Sequence, residues 1–295
     1  MTTVGLIGLG NMGIPMAKNL IDAGYGVLGF RRSDASDFEE IGGKLAASPR
    51  AVAEEAEIVL CCIPGDDALQ DVVSGPQGIA TGDCTGTVLA ELSTLSSEVK
   101  SEQAAALAAK GGIMLDGAIS GLPPMVAART AVFMLSGDEA AYAKTKPVLE
   151  ALTEKLFFMG PFGAAFKAKL CANMLVAANI AATAETLAFG AMMGLDQVKL
   201  IEALRDGAGG SVQFSARAER MAKGDWHKVL ASTALLAKDI RLIEKMGGSL
   251  GSPMPVLTSV DPFYEQAIEE GYGQLDVAAV YAAFATAAGL PVPGK

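Results

Sequence analysis

Apolar and polar positions along the chain change their period once. Up to about residue 160, short unbroken apolar runs alternate with stretches of helical spacing. The runs are Val4–Ile7, Val27–Phe30, Ile58–Ile63, Val88–Leu92, Ile113–Leu115, Val132–Leu135 and Leu156–Met159. Between them Met12–Ala23, Ser96–Lys110 and Glu139–Leu152 read as helices. Apolar strands alternating with helices predict an α/β fold, a mostly parallel sheet covered on both faces. From Gly160 onward the alternation stops and the chain reads as helical almost to its end. Two domains are therefore expected, a doubly wound α/β domain over residues 1–163 and an all-helical domain over 164–295.

The second domain opens with a segment between Gly163 and Gly194, about 45 Å long if helical throughout. It carries Leu170, Met174, Leu175, Val176, Ile180, Leu187 and Phe189. Such a stretch is long enough for a bilayer, but Asn173, Asn179, Thr183 and Glu185 interrupt it. The expectation is an interdomain helix buried on all sides in a core. One small domain cannot cover it, so a homodimer or homotetramer is expected.

Composition narrows the classes. The 295 residues carry 23 basic and 33 acidic side chains, a formal charge of −10, and are 51% apolar. That balance supports a full core and argues against nucleic-acid or anionic-membrane partners. The single histidine, His227, argues against a histidine-built metal site or a Ser-His-Asp triad and reads as a surface residue. No metal is expected. Cys61, Cys62, Cys84 and Cys171 form no CxxC pair. With an N-terminus that enters an apolar run without a basic leader, they suggest a reduced, cytoplasmic protein.

The first strand runs into Gly8-Leu9-Gly10-Asn11-Met12-Gly13, a G-x-G-x-x-G between strand and helix. In that context Gly8 permits the tight turn, Gly10 lets backbone approach a pyrophosphate, and Gly13 lets the helix pack on the sheet. The start of the helix favours phosphates. This is the pattern of a Rossmann-type dinucleotide site. About 20 residues later an acid would bind the ribose 2′-hydroxyl of NAD(H), whereas arginine accommodates the 2′-phosphate of NADP(H). The chain has Arg31-Arg32-Ser33 there, so NADP(H) is preferred, with NAD(H) possible.

At the junction of the halves, Lys169 and Asn173 stand four apart, on one face of the expected long helix. An early-turn lysine feels the positive end of the helix dipole, and partial burial also favours its neutral amine. It could exchange a proton with a substrate hydroxyl. Equally, Lys169 could snorkel and Asn173 cap or pack.

Five separated segments resemble the β-hydroxyacid dehydrogenase family, which includes 3-hydroxyisobutyrate dehydrogenase, tartronate semialdehyde reductase and 6-phosphogluconate dehydrogenase relatives. They are Gly5–Gly13, Glu91-Leu92-Ser93-Thr94-Leu95, Asp116-Gly117-Ala118-Ile119-Ser120-Gly121, Gly160–Asn173 and Lys238-Asp239-Ile240. The resemblance implies Lys169 as general base in oxidation and acid in reduction, with Asn173 positioning substrate or lysine. It implies that Ser120, Gly121 and Leu122 line the grip on a substrate carboxylate. It implies that Ile63, Pro64, Thr94 and Lys238 serve the nicotinamide end of the cofactor. The implied reaction interconverts a short β-hydroxy acid with its semialdehyde or keto-acid partner. Leu122, Ala165 and Ala172 depart from the family pattern, as does Asp116-Gly117-Ala118. Leu122 adds bulk where backbone is usually accessible and motivates the alternative of an imine or non-acid carbonyl substrate. A non-catalytic cofactor-binding dimer is the third reading. Around the substrate tail the candidates are Gln213, Phe214, Trp226 and Met125.

Overall fold

A computed structural model describes residues 2–294. The chain divides into two compact units, Met1–Lys169 and Leu170–Lys295.

The first unit is built on eight strands: β1 (Thr3–Ile7), β2 (Gly26–Phe30), β3 (Lys44–Leu45), β4 (Ile58–Cys61), β5 (Val88–Glu91), β6 (Ile113–Ser120), β7 (Val132–Ser136) and β8 (Lys155–Phe158). They form one sheet in the order β3-β2-β1-β4-β5-β6-β7-β8. The seven anticipated runs are all strands, and the two-residue β3 joins them at one edge. Every pairing is parallel except β6 with β7. Helices α1 (Gly13–Asp22), α2 (Ser36–Glu40), α3 (Pro49–Glu55), α4 (Asp66–Val73), α5 (Ser97–Ala108), α6 (Pro123–Ala127) and α7 (Glu139–Glu150) connect the strands.

Alternate strand residues serve opposite faces. Leu60, Ala90 and Leu115 pack with Met16 and Leu20 of α1 and Val148 and Leu149 of α7. Val59, Cys61, Leu89 and Met114 pack with Val52 of α3, Leu69 and Val73 of α4 and Leu107 of α5. Burial on both faces is why these strands read as unbroken apolar runs.

The register defines one edge of the sheet. Phe30, Ile7, Cys61, Glu91, Asp116 and Ser136 are successive partners across the strands. This row closes β2, β1, β4 and β5, while β6 continues to Ser120. Because β7 runs back along β6, its last residue, Ser136, stands beside Asp116. β8 follows β7 and ends with Phe158 beside Leu135. The chain thus leaves β8 at the edge where the parallel strands end, and there it enters the next helix.

That helix, α8 (Ala164–Met192), begins in the first unit and continues through the second. The second unit adds α9 (Gln197–Arg205), α10 (Val212–Lys223), α11 (Thr233–Leu250), α12 (Pro255–Ala267) and α13 (Tyr281–Ala287). Asn173, Ala177, Ile180, Ala184 and Leu187 of α8 are buried at helical spacing. The Tyr264 hydroxyl donates to the Ala177 carbonyl at 2.7 Å. Buried Asp276 accepts the Leu230 and Ala278 N–H groups and pairs with Arg220 at 3.1 Å. The expectation of a helix buried on all sides is corrected here. The opposite side of α8 is exposed, with Leu175, Phe189 and Met192 at 66%, 62% and 62%. By length and composition α8 could also cross a membrane, with a mean hydropathy of 1.4.

Candidate active site

The order of the strands reverses between β1 and β4, and in such sheets ligands bind outside the strand ends at that point. The glycine turn occupies the β1 side. Gly8 has φ +96°, and a Cβ there would stand 2.0 Å from the Cys62 carbonyl oxygen. A Cβ on Gly13 would meet the Gly8 oxygen at 2.0 Å. Gly10 is exposed, and a Cβ there would meet nothing within 4 Å. Two glycines are thus demanded by the fold and the third leaves open space. No side chain caps α1, and no acid lies in its first turn. An open glycine beside an uncapped helix start suits a pyrophosphate, so the residues fit a dinucleotide. Leu9 is buried, Asn11 exposed and Met12 half-buried around this turn.

At the end of β2, Arg31 and Arg32 behave differently. Arg31 donates from Nη1 to the Leu9 carbonyl at 2.6 Å and pairs through Nη2 with Asp37 at 2.8 Å. That guanidinium holds the Asp37 carboxyl below its ordinary pKa. Arg31 therefore braces the glycine turn. Arg32 is exposed, 3.4 Å from Asp71, and Ser33 beside it is also exposed.

On the β4 side, the Cys62 N–H donates to the Ile7 carbonyl at 2.9 Å, and the Ile63 N–H donates to Ser93 Oγ at 2.8 Å. Ile63 is half-buried and Pro64 exposed, with half-buried Thr94 following Ser93. The end of β4 and the end of β5 are thus tied together beside the crevice.

Lys169 is half-buried on the second turn of α8. Burial pushes the Cys62 thiol up to about 12 and the Glu91 charge adds to that, while the Lys100 and Lys169 ammonium groups pull it down. Three residues before Lys169, the Phe166 N–H donates to Asp116 Oδ2 at 2.9 Å, so the start of α8 stands at the row of strand ends. Asn173, one turn after Lys169, is buried and donates from Nδ2 to Asp239 Oδ2 at 2.6 Å. Lys238 pairs with the same carboxylate at 3.3 Å. Asp239 thus gathers Asn173 and Lys238 within the second unit, a role that pattern reading did not assign.

Ser120 closes β6, half-buried, opposite Val132. A Cβ on Gly121 would stand 2.8 Å from that of Ala131. Leu122 precedes α6 with extended backbone (φ −106°, ψ 160°). Any residue adopts that conformation, so the leucine introduces no strain there.

Residues 3–160 match the family described as the NAD binding domain of 6-phosphogluconate dehydrogenase. Residues 163–284 match that described as NAD-binding of NADP-dependent 3-hydroxyisobutyrate dehydrogenase. The mitochondrial 3-hydroxyisobutyrate dehydrogenase of Mus musculus is 31% identical, over 95% of this chain and 86% of its own length. An NAD-dependent L-serine dehydrogenase of Pseudomonas aeruginosa is 31% identical, over 96% of this chain and 98% of its own. The crystal structure of a 3-hydroxyisobutyrate dehydrogenase from Salmonella typhimurium superposes with a TM-score of 0.88 at 28% identity, covering 96% of this chain and 99% of that one. The chain belongs to the β-hydroxyacid dehydrogenase family. It is an oxidoreductase of that family, with a domain for a nicotinamide cofactor.

Within this β-hydroxyacid dehydrogenase, a lysine outside the quoted motifs joins two acids that belong to them. Lys100 of α5 is buried between Glu91 and Asp116. Burial disfavours its ammonium, but the two carboxylates outweigh that and hold Lys100 above its ordinary pKa. Burial lifts the Glu91 carboxyl above its usual range, against the pull of Lys100 and Ser93. Lys100, Gln103 and Leu107 are the buried residues of α5. Two polar residues on the stripe shared with Leu107 are the signal by which Lys100 could have been found.

Proposed function

We propose that the chain interconverts a short β-hydroxy acid with its semialdehyde or keto-acid partner, preferring NADP(H), with Lys169 as the general acid/base. The observation that carries this reading is half-buried Lys169 on the second turn of α8, a helix whose first turn is bonded to Asp116 and Ser136 beside the strand ends that frame the crevice. Bound nicotinamide would supply the hydride chemistry. The remaining work falls to the protein. In oxidation the neutral Lys169 Nζ takes the proton from the substrate hydroxyl as the carbonyl forms, and in reduction the ammonium returns it. Asn173, its amide held by Asp239, orients the substrate oxygen or the lysine. Ser120 and the backbone at Gly121 and Leu122 hold the carboxylate, and Ile63, Pro64, Thr94 and Lys238 serve the nicotinamide end.

The preference for NADP(H) rests on Arg31 and Arg32 at the end of β2. With Arg31 engaged by Leu9 and Asp37, Arg32 and Ser33 are the groups that take the 2′-phosphate. The exposed stripe of Leu175, Phe189 and Met192 supports a homodimer or homotetramer, and a cytoplasmic location is part of the same reading.

The test follows NADPH absorbance with succinic semialdehyde, methylmalonic semialdehyde and glyoxylate, and separately with cyclic imines. Turnover of an aldehyde-acid is expected, falling about 10²–10⁴-fold in Lys169→Ala while the variant still binds NADPH. Turnover of imines alone, or activity that survives the loss of Lys169, overturns the reading and turns attention to Leu122.

A further inference from the structure

An unbroken chain of hydrogen bonds and ion pairs runs through the interior of the first unit, from the cofactor crevice to the start of α8. The Ile63 N–H donates to Ser93 Oγ at 2.8 Å, and the Ser93 N–H donates to Glu91 Oε1 at 2.8 Å. Glu91 Oε2 stands 2.7 Å from Lys100 Nζ. That ammonium also reaches Asp116 Oδ1 at 2.8 Å and the Gly117 carbonyl at 3.1 Å. Lys100 thus donates to Asp116 and Gly117 and is paired with Glu91 by charge. Asp116 Oδ2 accepts the Ser136 hydroxyl and the Phe166 N–H, each at 2.9 Å. Ser136 Oγ in turn accepts the Ala165 N–H at 3.0 Å.

Ala165 and Phe166 lie in the first turn of α8, whose N–H groups have no partner within the helix. Here they are met by side chains from β6 and β7. Lys169 follows Phe166 by three residues, on the next turn.

We propose that the Glu91–Lys100–Asp116 cluster and Ser136 are positioning residues for Lys169, fixing the start of its helix against the strand ends that frame the cofactor crevice. The proposal rests on the reading of Lys169 as the acid/base. Stability alone does not account for the arrangement. Side chains 0–1% exposed carry three ionisable groups, and well-packed apolar residues often replace such a cluster without loss of stability. An apolar cluster would leave the helix free to slide and rotate by fractions of an ångström. Directional bonds to two consecutive N–H groups remove that freedom. Proton and hydride transfer need it removed, because a misplacement of about 1 Å can lower a rate roughly 100-fold.

The experiment uses the whole chain and the variants Ser136→Ala, Ser136→Thr and Asp116→Asn. Three quantities are measured: turnover of the best aldehyde-acid, NADPH affinity, and the rate at which N-hydroxysuccinimidyl acetate acylates Lys169, read by peptide mass spectrometry. In Ser136→Ala and Asp116→Asn, kcat is expected to fall about 10- to 100-fold, with KM and NADPH affinity within about twofold. Ser136→Thr, which keeps the hydroxyl, restores kcat. Lys169 acylation should change at least about threefold in the first two variants and not in the third. Unchanged kcat in Ser136→Ala overturns the proposal, as does parallel loss of kcat and NADPH affinity. Should Asp116→Asn fail to fold, the two Ser136 variants decide. Should the wild type turn over nothing, the acid/base reading fails by itself. Lys169 acylation then decides the positioning role: a change confined to Ser136→Ala and Asp116→Asn supports it, and equal rates overturn it.

Discussion

Alanine at each of the three glycines after β1 separates the needs of the fold from those of the ligand. At Gly8 a side chain must tolerate φ +96° and a carbonyl oxygen 2.0 Å away. Backbone strain costs about 1–2 kcal/mol and the forced shift about 1–3 kcal/mol, so Gly8→Ala loses about 2–5 kcal/mol. At roughly 2–4 °C per kcal/mol for a unit of this size, the midpoint falls about 4–20 °C. Gly13→Ala meets the Gly8 oxygen at 2.0 Å without a positive φ and pays only the second term, about 1–3 kcal/mol. Gly10→Ala points into open space, so the fold gains about 0.4–1 kcal/mol from a stiffer unfolded chain. Its methyl, however, holds phosphates away from the turn. Loss of one charge-assisted hydrogen bond, about 1.5–3 kcal/mol, weakens NADPH roughly 10- to 150-fold. Thermal unfolding and fluorescence titration with NADPH measure both quantities on each variant. The expected result is a crossing, with Gly10→Ala the most stable of the three and impaired in binding. Wild-type affinity in Gly10→Ala would refute the assignment of the open face to the pyrophosphate. A midpoint as low as that of Gly8→Ala would refute the geometry itself.

Two further outcomes can be checked simply. Arg32→Ala should weaken NADPH about tenfold and leave NADH within about twofold, whereas Arg31→Ala should weaken both by releasing the Leu9 carbonyl. Equal loss for both cofactors in Arg32→Ala sinks the division of labour between the arginines. The Cys62 thiol is pushed up to about 12, and burial raises Cys61 and Cys84 as well. Thiols raised in this way keep their protons at pH 8 and are poor nucleophiles, so a disulfide reagent at that pH should find at most Cys171 in the native protein. All four cysteines should react in denaturant. Rapid reaction of Cys62 at pH 8 contradicts its surroundings.

What could be read in advance followed from period. β4 and β5 are buried on both faces, so their apolar runs were visible without knowledge of their neighbours. The glycine turn was visible for a related reason, since Gly8 and Gly13 each answer a local demand of the backbone. β3 escaped notice because Lys44 and Leu45 are both exposed and leave no pattern. The far half of β6 was read as a motif and not as strand, because Asp116 and Gly117 interrupt the apolar run. Asp116 is tolerated in the sheet because Lys100, the Ser136 hydroxyl and the Phe166 N–H meet its carboxylate, and periodicity carries no information about such pairings. The reversal of β7 was equally hidden. A buried strand shows the same composition whichever way it runs. The partnership of Asn173 with Asp239 joins residues 66 positions apart and leaves no mark on either segment.

The short turn after Ser120 has a chemical consequence for any acid that arrives there. Pro123 and Pro124 open α6 and own no amide hydrogens. The next two amides, of Met125 and Val126, are already spent on the Leu122 carbonyl at 2.8 and 3.2 Å. The end of α6 that would ordinarily attract an anion is therefore mute. On this turn the groups left to meet a carboxylate would be the Ser120 hydroxyl and the amides of Gly121 and Leu122, beside an isobutyl group. Were the acid of the proposed reaction to dock on this turn, its distinction from an uncharged carbonyl compound would fall to those few groups and not to the helix.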